Sequence, residues 1–247
     1  MKLPWFTGPR APGPAAADSS AQATTSLGAH TKTTAPFVLK EIAPSKIIGI
    51  GVNYRAHAAE MGKPLPSEPL MFLKPPSALL APGEPIVRPM AYEQVHFEGE
   101  LAVVIGSRCV RVAASDALAH VAGYTCMNDV TVRDLQKSDG QWARAKGFDS
   151  FAPIGPAIVA GLTPNNLSIK TFVNGVLRQD SNTSDMVFDV AALIAFASRH
   201  MTLMPGDIIT TGTPAGVGNL APGDVVTIEI QGIGALTNPV IASASPV

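Results

Sequence analysis

Turn-forming residues recur along this chain at intervals too short for long helices. It carries 22 glycines and 22 prolines in 247 residues, and a proline removes a backbone donor and breaks helix or ladder wherever it falls inside one. Between these stops lie short β-branched runs: Lys46–Val52, Leu101–Ile105, Ile154–Ala160, Ile169–Asn174, Ile208–Thr211 and Val225–Ile230. Each has strand length and strand composition. Asn174-Gly175 sits between two such runs and predicts a tight hairpin, because both residues tolerate positive φ. Pro82-Gly83, Pro205-Gly206-Asp207 and Pro222-Gly223-Asp224 predict further turns. Two helical stretches stand out: Asp116–Val121 with Ser115 as its cap, and Val190–Met201 capped by Asp189 and ending near Arg199 and His200. Many strands with few short helices predict a β-rich α+β domain, not a βαβ array. Residues 1–36, crowded with Pro, Ala, Ser and Thr and without a sustained period, read as an N-terminal arm. Residues 37–247 read as one catalytic domain.

Charge and cysteine content exclude several classes. With 18 basic and 19 acidic side chains there is no excess of cations to neutralise phosphates, so a nucleic-acid partner is not expected. No apolar run approaches the roughly 18 residues of a bilayer span, and no membrane partner is expected. The two cysteines, Cys109 and Cys126, are too few for a disulfide framework or a thiolate zinc site; they fit a reducing, cytoplasmic compartment. Gly49-Ile50-Gly51 is followed by Tyr54 where a dinucleotide fingerprint needs glycine.

The segment Val95–Ile105 reads VHFEGELAVVI. As one strand it places Glu98 and Glu100 on the same face, about 6.5 Å apart. Two adjacent carboxylates entering an apolar run need a compensating cation, although an acidic, half-exposed edge strand accounts equally well for the pattern. Asp129, between GYTCM and a short helix expected over Thr131–Lys137, adds a third acid or serves as an N-cap. An all-oxygen set of Glu98, Glu100 and Asp129 suits a hard cation such as Mg2+ or Mn2+. His57 and Glu60 in NYRAHAAEM share one face of a helix and form either an acid-oriented base or an ordinary surface pair. Lys146 is by default a solvated surface cation or a partner for a substrate carboxylate. Gly212 and Thr213, in the loop TGTPAGVG, either clamp an anion or form a turn.

Together these pieces resemble the fumarylacetoacetate hydrolase family. The resemblance is carried by GIGVNYRAHAAEMG, SEPLMFLKPPSALLAPG, HFEGELAVVIG, NDVTVRDLQ, AKGFDSFAPIGP and PGDIITTGTPAGVG. It implies a mixed β-sandwich roll with a few short helices, a homodimer, and bound Mg2+ or Mn2+. It implies that Glu98, Glu100 and Asp129 ligate the metal and that His57 and Glu60 form a catalytic dyad on a segment closing over substrate. Lys146, Gln136 and Thr213 then fall on substrate-contacting positions, with Arg133 and Gly212 beside them. His96 stands where many members have Asp. The implied activity is metal-dependent cleavage of a C–C bond in a 2,4-dioxo acid of acylpyruvate type, through a metal-stabilised enolate. The alternatives are a decarboxylase or isomerase of 2-oxo diacids and, from another class, a non-catalytic metal-binding homologue.

Overall fold

The computed structural model describes residues 42–244; the arm expected over residues 1–36 lies outside them. The described chain builds three sheets. The largest has seven strands in the order Leu70–Lys74, Ile47–Gly51, Ile208–Thr210, Gly99–Ile105, Val121–Asn128, Ala152–Val159 and Leu79–Leu80. A second has five, in the order Val176–Asn182, Ser168–Val173, Val225–Ile230, Gly234–Ala242 and Ile86–Arg88. The third is small: Gly218–Asn219, Val95–Phe97 and Thr131–Val132. Parallel and antiparallel pairs are mixed, with Ile47–Gly49 running parallel to Ile208–Thr210 and antiparallel to Phe72–Lys74. The β-rich, mixed-sheet sandwich expected from the sequence is the observed architecture.

The core lies between the two large sheets. Leu101, Val103, Ile105, Tyr124 and Cys126 of one meet Ile169, Ile228, Ile230 and Leu236 of the other. The helix Val190–His200 seals one side with Val190, Leu193, Ile194 and Ala197. Its start follows from chemistry expected of the sequence: Asp189 Oδ1 accepts from the Ala192 N–H at 2.8 Å, and Arg199 and His200 occupy the last turn, where cations complement the helix dipole. A second apolar cluster joins Val95, Phe97 and Val132 of the small sheet to Val173, Val226 and Val240 of the five-stranded one. Every residue of Gly99–Ile105 is buried, which is why its sequence is continuously apolar after Glu100. Cys109 and Cys126 are free, buried thiols, and no helix among the described residues is long and apolar enough to cross a membrane.

The hairpin at Asn174-Gly175 forms as expected, with both residues at positive φ between Ser168–Val173 and Val176–Asn182. Three local expectations change. Val95–Ile105 is two strands, because the Glu98 N–H donates to the Asn128 side chain at 3.0 Å instead of to a ladder partner. The helix after Asp129 starts only at Arg133, since Thr131 and Val132 pair with His96 and Val95. Ser115 lies inside a short helix, Ala114–Ala117, rather than capping it.

The Pro205–Asp207 turn anchors two strands at once. Its Asp207 carboxylate, fully buried, accepts from Ser45 N at 2.8 Å, Ser45 Oγ at 2.7 Å and Met204 N at 2.8 Å, and pairs with Lys46. Burial pushes this carboxyl up, but those donors and the Lys46 ammonium outweigh it and hold it below the usual aspartate range. A depressed folded-state pKa stabilises the fold above the unfolded value of about 3.9 and loses that contribution as pH falls through the lowered folded value. Asp207→Ala is therefore expected to cost about 3 kcal/mol in urea unfolding at pH 7. The difference from the wild type should shrink in the same titration as the pH is taken well below 4.

Candidate active site

Several segments converge at the entrance of the Gly99–Ile105 strand. That strand and the residue preceding it bring Glu98 and Glu100. The end of Val121–Asn128 delivers Asp129, held by the Asp129 N–H to Glu98 carbonyl bond at 2.9 Å. The three carboxylates are buried, and one oxygen from each lies within 4.8 Å of the other two.

Three cations from elsewhere in the chain neutralise this cluster. Lys74, the last residue of the edge strand Leu70–Lys74, donates to Asp129 Oδ1 at 2.7 Å. Lys146, at the end of the helix Ala143–Lys146, donates to Glu98 Oε2 at 2.7 Å and also pairs with Asp129. Arg133, the first residue of Arg133–Ser138, pairs with Glu98. Lys146 is 2% exposed, so the expectation of a solvated surface lysine does not hold: its ammonium sits between two carboxylates. The electrostatics follow these contacts. Burial pushes both lysines down, but Lys146, with Asp129 and Glu98 against it, ends above the usual lysine range. Lys74 ends below it. Burial raises Glu98, yet Arg133 and Lys146 prevail and hold its carboxyl well below the ordinary range.

Glu100 differs. It makes no ion pair among the described residues; its Oε2 accepts from the Thr210 hydroxyl and from the Gly212 N–H at 2.8 Å. Burial, reinforced by the Asp129 and Glu98 charges, pushes it well above the usual glutamate range. A buried carboxylate without a cation, flanked by two others, is what a divalent ion would satisfy, and the all-oxygen donor set fits Mg2+ or Mn2+.

A cavity of about 30 Å3 opens onto Glu98 and Glu100, room for about one water molecule. Its walls include His57, Glu98, Glu100, Arg133, Gln136, Lys146 and Thr213. His57 and Glu60 lie on the helix Arg55–Glu60, and His57 Nδ1 meets Glu60 Oε2 at 2.9 Å. Glu60 Oε1 also accepts from the Gly216 N–H at 3.0 Å, tying this helix to the loop that carries Gly212 and Thr213. Arg133 Nη1 donates to Gln136 Oε1 at 2.7 Å. Arg133 Nε points to His96 Nδ1 at 3.3 Å. Burial and the Arg133 guanidinium push His96 down to about 4, so it is a neutral acceptor.

The structure thus places His57, Glu98, Glu100, Arg133, Gln136, Lys146 and Thr213 on one cavity wall; Glu60, Asp129 and Gly212 lie behind it, bonded to His57, Lys146 and Glu100, and other residues join them. Lys74 was recognisable as an ionisable residue inside the apolar run LMFLKPP. Thr210 and Gln179 carried no comparable signal. Trp142, Met61 and Lys63 complete the cavity wall.

Known proteins match this arrangement over most of the chain. The family model described as the C-terminal domain of fumarylacetoacetate hydrolase matches residues 46–241. A Xenopus laevis protein named as a mitochondrial oxaloacetate tautomerase is 47% identical over 80% of this chain and 66% of its own length. A solved structure of 2-hydroxyhepta-2,4-diene-1,7-dioate isomerase from Mycobacterium marinum superimposes with a TM-score of 0.77 at 49% identity, covering 83% of this chain and 77% of that one. Maleylpyruvate hydrolase from Sphingobium, solved with manganese(II) and pyruvate, gives a TM-score of 0.71 at 41% identity, over 81% of this chain and 71% of that one. With the strands, the acidic cluster and these relatives in agreement, the chain belongs to the fumarylacetoacetate hydrolase family.

Proposed function

We propose that this protein is a divalent-metal-dependent hydrolase that cleaves acylpyruvate-type 2,4-dioxo acids into pyruvate and a carboxylic acid. The observation that carries the reading is that His57, bonded to Glu60, shares a cavity of about one water's volume with Glu98 and Glu100 of the three-carboxylate cluster. Mg2+ or Mn2+ held by Glu98, Glu100 and Asp129 would supply Lewis-acid polarisation of the substrate's 2-oxo and carboxylate oxygens.

The protein's own groups divide the remaining work. With Nδ1–H donated to Glu60, the free Nε2 of His57 is the atom left to take a proton from water. Glu60 fixes the ring and stabilises the imidazolium that forms. The activated water adds to the distal carbonyl, and the bond between that carbon and C3 breaks, leaving the pyruvate fragment as an enolate that regains a proton at C3. Lys146, a buried ammonium on the cavity wall, is the group assigned to deliver that proton, and Arg133, Gln136 and Thr213 line the same space and would bind the 2-oxo acid's oxygens. A cavity this small admits substrate only if a wall moves; the Arg55–Glu60 helix, tied to the Gly216 loop through Glu60, is the wall whose opening would admit it and whose return would bring the dyad back over the carboxylates.

A second reading is favoured by the relatives' names. The same base could move a proton between C3 and the 2-oxo oxygen without water, as a tautomerase or isomerase does. Protein loaded with Mn2+ and given acetylpyruvate, oxaloacetate and 2-oxohept-3-ene-1,7-dioate separates the cases. Hydrolysis predicts stoichiometric pyruvate from acetylpyruvate. Consumption of enol-oxaloacetate or isomerisation of the dienoate, with no acetylpyruvate cleavage, would replace it with the second reading; inertness toward all three would leave a metal-binding homologue.

His57→Ala is expected to lower kcat/KM by roughly 10²–10⁴-fold while Mn2+ binding, measured by calorimetry, stays intact. Glu100→Gln removes a ligand but relieves carboxylate crowding. Its metal-free melting temperature should therefore equal or exceed the wild type's. The stabilisation that Mn2+ confers on the wild type, about 2.7 kcal/mol at a hundredfold excess over Kd, should be absent from it.

A further inference from the structure

The outer strand of the hairpin, Val176–Asn182, exposes or half-exposes every residue but one. Gln179 is completely buried. A bulge aims it inward: Thr171 pairs with Gln179 but Phe172 pairs with Leu177, leaving Arg178 as the extra residue. Bulges beside sites commonly re-aim a side chain in this way.

All the polar capacity of the Gln179 amide is directed at the active-site strand and loop. Its Oε1 accepts from the Gly99 N–H at 3.0 Å. Its Nε2 donates to Thr213 Oγ1 at 2.8 Å and to the Pro214 carbonyl at 2.8 Å. The orientation is unambiguous, because an N–H must meet oxygen and a carbonyl must meet the NH2 group. The Thr213 hydroxyl in turn donates to the Gly99 carbonyl at 3.0 Å. Gly99 is the residue between Glu98 and Glu100, and it has to be glycine here because a Cβ would collide with Thr171 Oγ1 and crowd Gln179 Oε1. On the same side, a Cβ at Gly216 would strike the Arg178 carbonyl, so the bulge also backs the loop that receives Glu60.

This closed ring has a chemical consequence for Thr213. Its hydroxyl proton is committed to Gly99 and one lone pair is taken by Gln179. The donor Thr213 has left for an anion is its main-chain N–H. We propose that Gln179 is a positioning residue: it locks the Thr213 hydroxyl against Gly99, and thereby presents the Thr213 main-chain N–H, rather than the hydroxyl, to the carboxylate of the 2-oxo acid. The proposal rests on Thr213 being a substrate contact, as in the function proposed above.

A double-mutant cycle tests it. Gln179→Met keeps the volume of the side chain and loses its hydrogen bonds; Thr213→Val keeps shape and N–H and loses the hydroxyl. Each single variant is expected to raise KM, and the calorimetric Kd for pyruvate on Mn2+-loaded protein, about tenfold, the weight of one hydrogen bond to a charged group. The kcat should stay within about threefold, since binding common to ground and transition states is what is lost. The double variant should be no worse than either single one, because both changes break the same lock. Thr213→Ser, which retains hydroxyl and N–H, should bind pyruvate like the wild type.

Unchanged KM in Gln179→Met with a raised KM in Thr213→Val would overturn the proposal, since the hydroxyl would then touch substrate directly. Multiplying effects in the double variant would overturn it too, as would loss of Mn2+ affinity in step with melting temperature, the mark of a purely structural role. A wild type that binds pyruvate without hydrolysing acetylpyruvate would sink the hydrolytic function while the binding cycle still decides the role of Gln179. A wild type that binds no pyruvate overturns the Gln179 proposal.

Discussion

Three carboxylates buried within a few ångströms of one another impose the constraint on which the rest of this structure depends. Each buried ion costs several kcal/mol unless a partner of opposite charge is fixed beside it. The chain answers with Lys74, Arg133 and Lys146, delivered by an edge strand and, some sixty residues further on, by two short helices close to each other in sequence. Among the described residues Glu100 alone is left to hydrogen bonds from Thr210 and Gly212, and that asymmetry is what fits the cluster to a cation instead of a closed salt-bridge network.

The sandwich supplies the rigidity this arrangement needs. Gly99–Ile105 is buried along its whole length, so Glu100 enters the site from a strand with no freedom to shift. The five-stranded sheet presses on the other side and sends Gln179 inward to brace the Gly99 peptide. By contrast, the His57–Glu60 helix rests on the site through few contacts, chiefly the Glu60 bond to Gly216 and the hold of Arg55 on the carbonyls of Asp185 and Met186. A rigid floor of carboxylates under a lightly attached wall is a division suited to admitting a substrate and then enclosing it.

Reading from residues to structure succeeded where the determinant was local. The Asn174-Gly175 turn, the Asp189 cap and the short β-branched runs are set by backbone preferences of a few neighbouring residues, and they appear where expected. Ser115 is not a cap because the helix begins two residues earlier than expected, at Ala114. Val95–Ile105 failed as a single strand because a side chain distant in sequence, Asn128, captured the Glu98 N–H. Taken alone, Lys146 reads as an exposed lysine for the same reason, and only the family resemblance puts it in the site: nothing near it in sequence announces two carboxylates.

What the sequence alone determined is the inventory. It specifies a strand-rich chain, an inventory of acids at Glu98, Glu100 and Asp129, and an imidazole three residues before a glutamate, whose helical spacing puts those last two within reach of each other. Only the tertiary structure decided which cations answer which acids, that Glu100 is left without one, and that the Thr213 hydroxyl is already spent on Gly99. Those facts depend on burial and on partners contributed by distant segments, and the energy of a charge or hydroxyl is set by what surrounds it in space, not by its neighbours along the chain.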